Sequence, residues 1–337
     1  YADQTNLDMM TAVLDGIANR YGLEGEKVDE VTGGAVVTHS KDWNLAREAV
    51  IGSKLAPATP GITMIQACGT SLQAAMGIAA KIATGQIESG IACGSDTTSD
   101  PPIVFSKKFA GRLAEMSRKR SAWEKFKVFK GFSPAELAPV PPLVAEPRTG
   151  LSMGKHCELM AQDWHIPRDE QDDLAYESHK TAAEAYRAGY MDDLGVPYAG
   201  VFRDNTVRED IEREKLGELR TVFEKSERGT LPAANSTPMT DGAAAVLLAS
   251  EDWARQRGLP ILAYLTHYKT SANNFVAGEG LLMAPTIAVS EVLRQADLSL
   301  QDFDFYEIHE AFAAQVLATL KAVSYTHLTL PTTLPRC

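Results

Sequence analysis

The sequence predicts an α/β fold of two halves, the second of them incomplete, separated by a mainly helical insert. Three observations carry that expectation. Residues 62–66 (ITMIQ) read as a buried strand, 67–71 as a turn, 72–85 as an Ala-rich helix and 88–95 (ESGIACGS) as a second strand. This is a β–turn–α–β unit, the building block of a parallel sheet. Alternation then resumes late in the chain. Residues 241–249 and 260–268 (PILAYLTHY) read as strands, 284–296 as a helix, 303–308 (FDFYEI) as a strand and 309–322 as a helix. Between 106 and 235 the texture is different: a basic helix, a Pro-rich stretch and charged helices.

The earlier elements follow from spacing. Leu7, Met10, Leu14 and Ile17 recur at helical intervals before Gly22, so the first element is an amphipathic helix. Residues 28–37 have the β-branched content of a strand, and 42–50 read as a short helix. Ser250 suits an N-cap, with Glu251 and Asp252 in the first turn and Gly258 as the stop. The expected layout is an N-terminal half over 1–111, a helical loop domain over 112–235, and 236–322 completing the first half and opening the second. Residues 323–337 have neither period and are rich in Thr and Pro, so they are expected to be foreign to the protein. The first residue is Tyr, not Met, and the natural start is expected upstream, together with a first strand.

Composition narrows the function. With 45% apolar and 23% charged residues the chain is globular, and a net charge of −11 argues against general nucleic-acid binding. Charge is unevenly placed: residues 106–130 hold nine Lys/Arg against two Glu. There Phe109, Leu113, Met116, Trp123 and Phe126 fall at near-helical spacing, so a cationic amphipathic helix is expected to meet a membrane surface, a partner subunit or acidic phosphates. The cysteines at 68, 93, 157 and 337 have no metal-ligand spacing, so no metal site is expected.

Cys68 stands where the strand 62–66 gives way to the Ala-rich helix. Unpaired N–H groups and the positive end of a helix dipole favour a thiolate there. On placement alone, a small buried Cys filling a tight turn is the better explanation of the residue.

The motifs decide between these readings. Cys68-Gly-Thr-Ser-Leu-Gln-Ala, followed by Ile91-Ala-Cys-Gly-Ser-Asp, resembles the nucleophile motif of thiolases and the strand end after it. Met153-Gly154 with Glu158, Asn235-Ser-Thr-Pro-Met-Thr-Asp-Gly-Ala-Ala and Glu307-Ile-His-Glu-Ala-Phe-Ala resemble further thiolase motifs, in the family's order. The resemblance covers roughly residues 1–322, and His-Glu-Ala-Phe is similar to the fatty-acid oxidation branch, the β-subunits of trifunctional complexes.

The resemblance implies a thiolase fold, two stacked βαβαβαββ-type halves in a layered αβαβα sandwich. It implies a 3-ketoacyl-CoA thiolase activity, with coenzyme A as co-substrate and no permanently bound cofactor. Cys68 is then the acylated nucleophile. His309 orients a water beside an oxyanion hole or donates to it directly, and Met153 and Thr237 line the acyl and pantetheine channel. It also implies a homodimer or tetramer, a place in a β-oxidation multienzyme complex, and a cytoplasmic location in a bacterium or a mitochondrial one in a eukaryote.

Two departures weaken transfer of the CoA contacts: Ser152 precedes Met153 where the family often has His, and Thr240 replaces the second Asn of Asn-Asp-Gly. The family's Gly-His-Pro base segment and Cys-x-Gly-Gly-Gly acid segment do not occur in the 337 residues, so the chain as written is expected to be inactive. A ketoacyl-synthase-type condensing enzyme and a non-catalytic acyl-CoA-binding scaffold remain as alternatives.

Overall fold

The computed structural model describes residues 1–327; the last part of the expected tail lies outside the described residues. Helix α1 (Asn6–Tyr21) opens on a Thr5/Asp8 capping box and closes on Gly22 in the left-handed region. Strand β1 (Glu30–Gly34), helix α2 (Leu45–Gly52), strand β2 (Gly61–Thr63), helix α3 (Thr70–Ala83) and strand β3 (Ser89–Asp96) follow. The insert holds α4 (Lys107–Arg118), α5 (Ala122–Lys127), α6 (Met153–Asp163), α7 (Arg168–Arg187) and α8 (Arg213–Gly217). Strand β4 (Gly242–Ala249), then α9 (Glu251–Gln256), α10 (Ala284–Ala296) and α11 (Ala313–His327), complete the order.

Among the described residues four strands form one sheet in the order β2-β1-β3-β4. Strand β1 is parallel to both β2 and β3, with Val31 opposite Gly61 and Ile91. Strand β4 runs antiparallel to β3, with Ala245 opposite Cys93. Side chains alternate across the sheet. Ile91, Cys93, Ala245 and Leu247 join Met10, Leu14, Leu45 and Val50 beneath α1 and α2, while Ala92 and Leu248 meet Ala74, Ala75 and Ile78 of α3 on the opposite face. Burying the Ile78 side chain completely is worth about 2–3 kcal/mol. A second core packs α6 on α11: Cys157, Met160 and Ala161 meet Ala314, Ala318 and Ala322.

Five expectations are corrected. The buried strand expected over 62–66 is only Gly61–Thr63: it lies at the sheet edge with Ile62 exposed, and the chain turns away from β1 after Met64, leaving Ile65 exposed as well. The basic segment is two helices rather than one, since Ser121 and Glu124 form a capping box that starts α5 after an extended Lys119. Residues 260–268 and 303–308 form no ladder, and Leu262 and Phe305 are 82% and 70% exposed. Strand-forming composition does not make a strand without a neighbouring backbone to pair with. Helix α11 begins at Ala313, not at His309, because Ser236 and Phe312 form an antiparallel bridge that keeps residue 312 extended.

Candidate active site

The turn carrying Cys68 is built from its neighbours. The Met64 N–H donates to the Gly33 carbonyl at 3.0 Å, extending the register of β1 by one residue. The Thr70 hydroxyl then ties the loop, accepting from the Gln66 N–H at 2.8 Å and donating to the Ala67 carbonyl at 2.7 Å. Ala67 is forced to φ 45°, the left-handed region, which costs a non-glycine residue about 1–2 kcal/mol. That kink throws the next residue, Cys68, outward. Its side chain is exposed, immediately before the α3 N-cap Gly69, which offers no side-chain acceptor to the first-turn N–H groups. The Gly69 and Thr70 N–H groups are spent on the Gln66 and Ala67 carbonyls at 3.0 and 3.1 Å, which leaves those of Ser71 and Leu72 to face an anion in front of the helix.

The other thiols are placed differently. Cys93 lies in the sheet core, where burial pushes its pKa up to about 12, and its Sγ is 3.8 Å from the Thr32 carbonyl. Cys157 is also driven up, first by burial and then by the adjacent Glu158 carboxylate. Among the described residues Cys68 is therefore the one exposed cysteine.

Met153 and Thr237 both reach the segment Ala311–Phe312, which His309 precedes by two residues in the chain. Met153 opens α6 behind the Ser152 N-cap and packs on the core that holds Phe312. The neighbouring Gly154 is required there, since a Cβ would stand 2.1 Å from the Phe223 ring, which in turn meets Phe312 edge-on at 5.9 Å. The Thr237 N–H donates to the Ala311 carbonyl at 3.0 Å. Thr237 and His309 are both exposed. Cys68 is not joined to these three by a hydrogen bond among the described residues. The segment 270–275 does bridge the helices that follow Cys68 and begin at Met153: Thr270 Oγ1 donates to Gln73 of α3 at 2.7 Å, and Phe275 meets His156 of α6 at 6.0 Å.

The motifs also contain structural anchors that spacing alone does not reveal. Glu158, fully buried, accepts from the Thr230 N–H, the Thr230 hydroxyl and the Leu231 N–H at 2.8, 2.9 and 3.1 Å. Asp241 ties the end of β3 to the start of β4. Its carboxylate accepts from the Thr97 hydroxyl (2.8 Å), the Thr98 and Ser99 N–H groups (2.7 and 3.2 Å) and the Ser99 hydroxyl (2.6 Å). Burial raises its pKa, but these donors outweigh burial and bring it from 3.8 to about 2. A carboxylate depressed in the folded state contributes stability that is complete above its unfolded pKa and lost as pH falls toward 2. Asp241→Asn is expected to remove that contribution, about 1 kcal/mol for a half-buried carboxylate that solvent still screens. Urea unfolding at pH 6 and pH 2.5 measures it: the gap between variant and parent should narrow at the lower pH.

Among the described residues no cluster of His, Cys, Asp and Glu is placed to hold a metal ion. Residues 1–252 match the family described as "Thiolase, N-terminal domain", and residues 259–330 match "Thiolase, C-terminal domain". The chain belongs to the thiolase family. It is 41% identical to a 3-ketoacyl-CoA thiolase of Alteromonas mediterranea over 321 residues, 94% of this chain and 73% of that protein. It is 40% identical to a 3-ketoacyl-CoA thiolase of Shewanella sediminis with the same coverage. Among solved structures it resembles human mitochondrial 3-ketoacyl-CoA thiolase in complex with CoA, at TM-score 0.80 and 26% identity, over 96% of this chain and 78% of that one. The Bacillus anthracis acetyl-CoA acetyltransferase gives TM-score 0.79 at 28% identity with the same coverage. The α/β thiolase fold expected from the motifs holds, and the ketoacyl-synthase alternative is set aside.

Proposed function

We propose that this thiolase cleaves 3-ketoacyl-CoA with Cys68 as its nucleophile. The chain is a CoA-dependent acyltransferase of thiolase type, with CoA as co-substrate. The observation that carries the assignment is the contrast between thiols: Cys68 is exposed on a strained turn before α3, while Cys93 and Cys157 are buried and held protonated.

In the forward direction the Cys68 thiolate adds to the 3-keto carbon, and the bond between C2 and C3 breaks. The electron pair of that bond leaves with C2 and is protonated to give acetyl-CoA. The acyl group stays on sulfur as a thioester. A second CoA thiolate attacks its carbonyl and expels the Cys68 thiolate, giving the shortened acyl-CoA. Negative charge develops on a carbonyl oxygen in each addition, where the N–H groups around Cys68 and the imidazole of His309 are the assigned stabilisers. Met153 and Thr237 are assigned to the channel for the acyl and pantetheine chain.

The test uses a chain extended by a relative's Gly-His-Pro and Cys-x-Gly-Gly-Gly segments. Brief mixing with acetoacetyl-CoA followed by mass spectrometry should place an acetyl group on the peptide containing Cys68. An adduct on the Cys93 or Cys157 peptide would overturn the assignment, and no adduct anywhere would favour a non-catalytic acyl-CoA-binding role.

The proposed assembly is a homodimer or tetramer within a β-oxidation complex. The bacterial origin of the relatives favours the bacterial cytoplasm over a mitochondrion. A membrane surface is the proposed neighbour of α4 and α5. Neither helix buries a residue, and Trp123 and Phe126 are stacked with centroids 6.0 Å apart and exposed beside Lys127. Aromatic side chains among lysines and arginines suit an anionic lipid interface. Reversing charge at Arg118, Lys119 and Arg120 should weaken sedimentation with phosphatidylserine-containing vesicles at least about 100-fold, at roughly 1 kcal/mol per cation. Unchanged binding at matched salt would remove the membrane from the proposal.

A further inference from the structure

Helix α7 belongs to none of the motifs, yet both segments gathered around Phe312 lean on it. Gln171 and Asp172 are 0% and 1% exposed, and buried Asn235 donates its amide N–H groups to Gln171 Oε1 at 3.3 Å and Asp172 Oδ1 at 3.1 Å. The opposite amide orientation would set Asn235 Oδ1 against two acceptors. The observed orientation instead leaves Oδ1 buried without a partner, so the pull toward α7 outweighs an unsatisfied acceptor that costs about 1–3 kcal/mol. Asp172 is itself fixed by Arg168 Nε at 2.7 Å, and Gln171 by donation to the Ile166 carbonyl and the Thr230 hydroxyl.

Further along, the same helix reaches the other segment. Ser178 donates to Glu310 Oε2 at 2.6 Å, next to His309. Residues 171, 175 and 178 share one face of α7, with Ala175 buried between the two polar contacts. The segments are in turn joined by the Ser236–Phe312 bridge and by Thr237 N–H donating to the Ala311 carbonyl. The result is a closed circuit that runs from α7 through Asn235, Thr237, Ala311 and Glu310 back to α7.

We infer that α7 is the positioning element of the acyl-transfer site, with Asp172 and Ser178 acting through Asn235 and Glu310 to hold Thr237 and His309 in place. Residues 303–310 lie outside any helix or strand, so the Ser178–Glu310 bond adds a side-chain tether directly beside His309 to the backbone bonds at Ala311 and Phe312. The inference rests on the assignment of Thr237 and His309 to the site, and its test separates the two.

Hydrogen exchange in the 337-residue chain reads the clamp directly, because the Thr237 amide is protected by its bond to Ala311. Ser178→Ala, a half-buried side chain whose loss leaves the core intact, and Asp172→Asn should each raise exchange at Thr237 about 10-fold. Ser178→Thr should restore protection, and the melting temperature of Ser178→Ala should stay within about 2 °C of the parent. In the extended chain the same variants should lower kcat by a similar factor with little change in KM for CoA. Unchanged exchange at Thr237 in both variants overturns the clamp, whatever kcat does. Faster exchange with unchanged kcat leaves the clamp standing and removes Thr237 and His309 from the chemistry.

Discussion

Replacing Cys68 with alanine or serine in the extended chain is expected to lower kcat at least about 10³-fold, about 4 kcal/mol of barrier, while acyl-CoA binding persists. The same sulfur has to attack a carbonyl as an anion and later depart as one. Alanine removes the nucleophile outright. Serine fails for a different reason: its hydroxyl has a far higher pKa than a thiol, so the N–H groups before α3 leave it protonated, and the oxygen ester it forms is a poorer acceptor for the CoA thiol. Neither change disturbs the turn, because the bonds that shape it belong to Gln66, Ala67 and Thr70. A loss of turnover therefore reports chemistry and not folding. Near-normal turnover in Cys68→Ala would assign the nucleophile elsewhere.

The first half of the fold is legible in the sequence because its signals are local. The Leu7–Ile17 spacing, the Ala-rich run after Cys68 and the Ser250 cap each fix an element within one or two turns, and all three elements form. Residues 260–268 and 303–308 mislead because a strand depends on a neighbour that its own residues do not specify, and neither segment has one here. The break after Lys119 is visible in principle, since Ser121 and Glu124 stand at capping-box spacing inside the basic run.

The site divides in the same way. Cys68 is marked by position and motif together. The roles of Glu158 and Asn235 are not, since their partners lie 63 to 73 residues away in sequence and bring helices and loops together only in the folded chain. Ser178 and Asp172 leave no trace in the sequence beyond two ordinary polar residues on a charged helix.

Gly34, the last residue of β1, takes no part in the chemistry but has no room for a side chain. A Cβ there would stand 1.9 Å from the Met64 carbonyl oxygen and 3.1 Å from Thr70 Cγ2. The first neighbour is backbone, anchored by its own N–H to Gly33, and cannot swing aside as a side chain would. Relief requires moving the segment from Met64 to Thr70, the turn that aims Cys68. Gly34→Ala is therefore expected to cost about 3 kcal/mol or more of stability and to lower kcat through displacement of the thiol. Gly77, within α3, supplies the control: a Cβ added there would meet nothing within 4 Å, so Gly77→Ala should stabilise the chain by about 0.5–1 kcal/mol through helix propensity. Urea unfolding of the two variants side by side, with acylation of Cys68 followed in each, tests the argument. Equal midpoints, or a Gly34→Ala variant acylated at the parental rate, would show that the approach of β1 to Met64 does not hold the nucleophile in place.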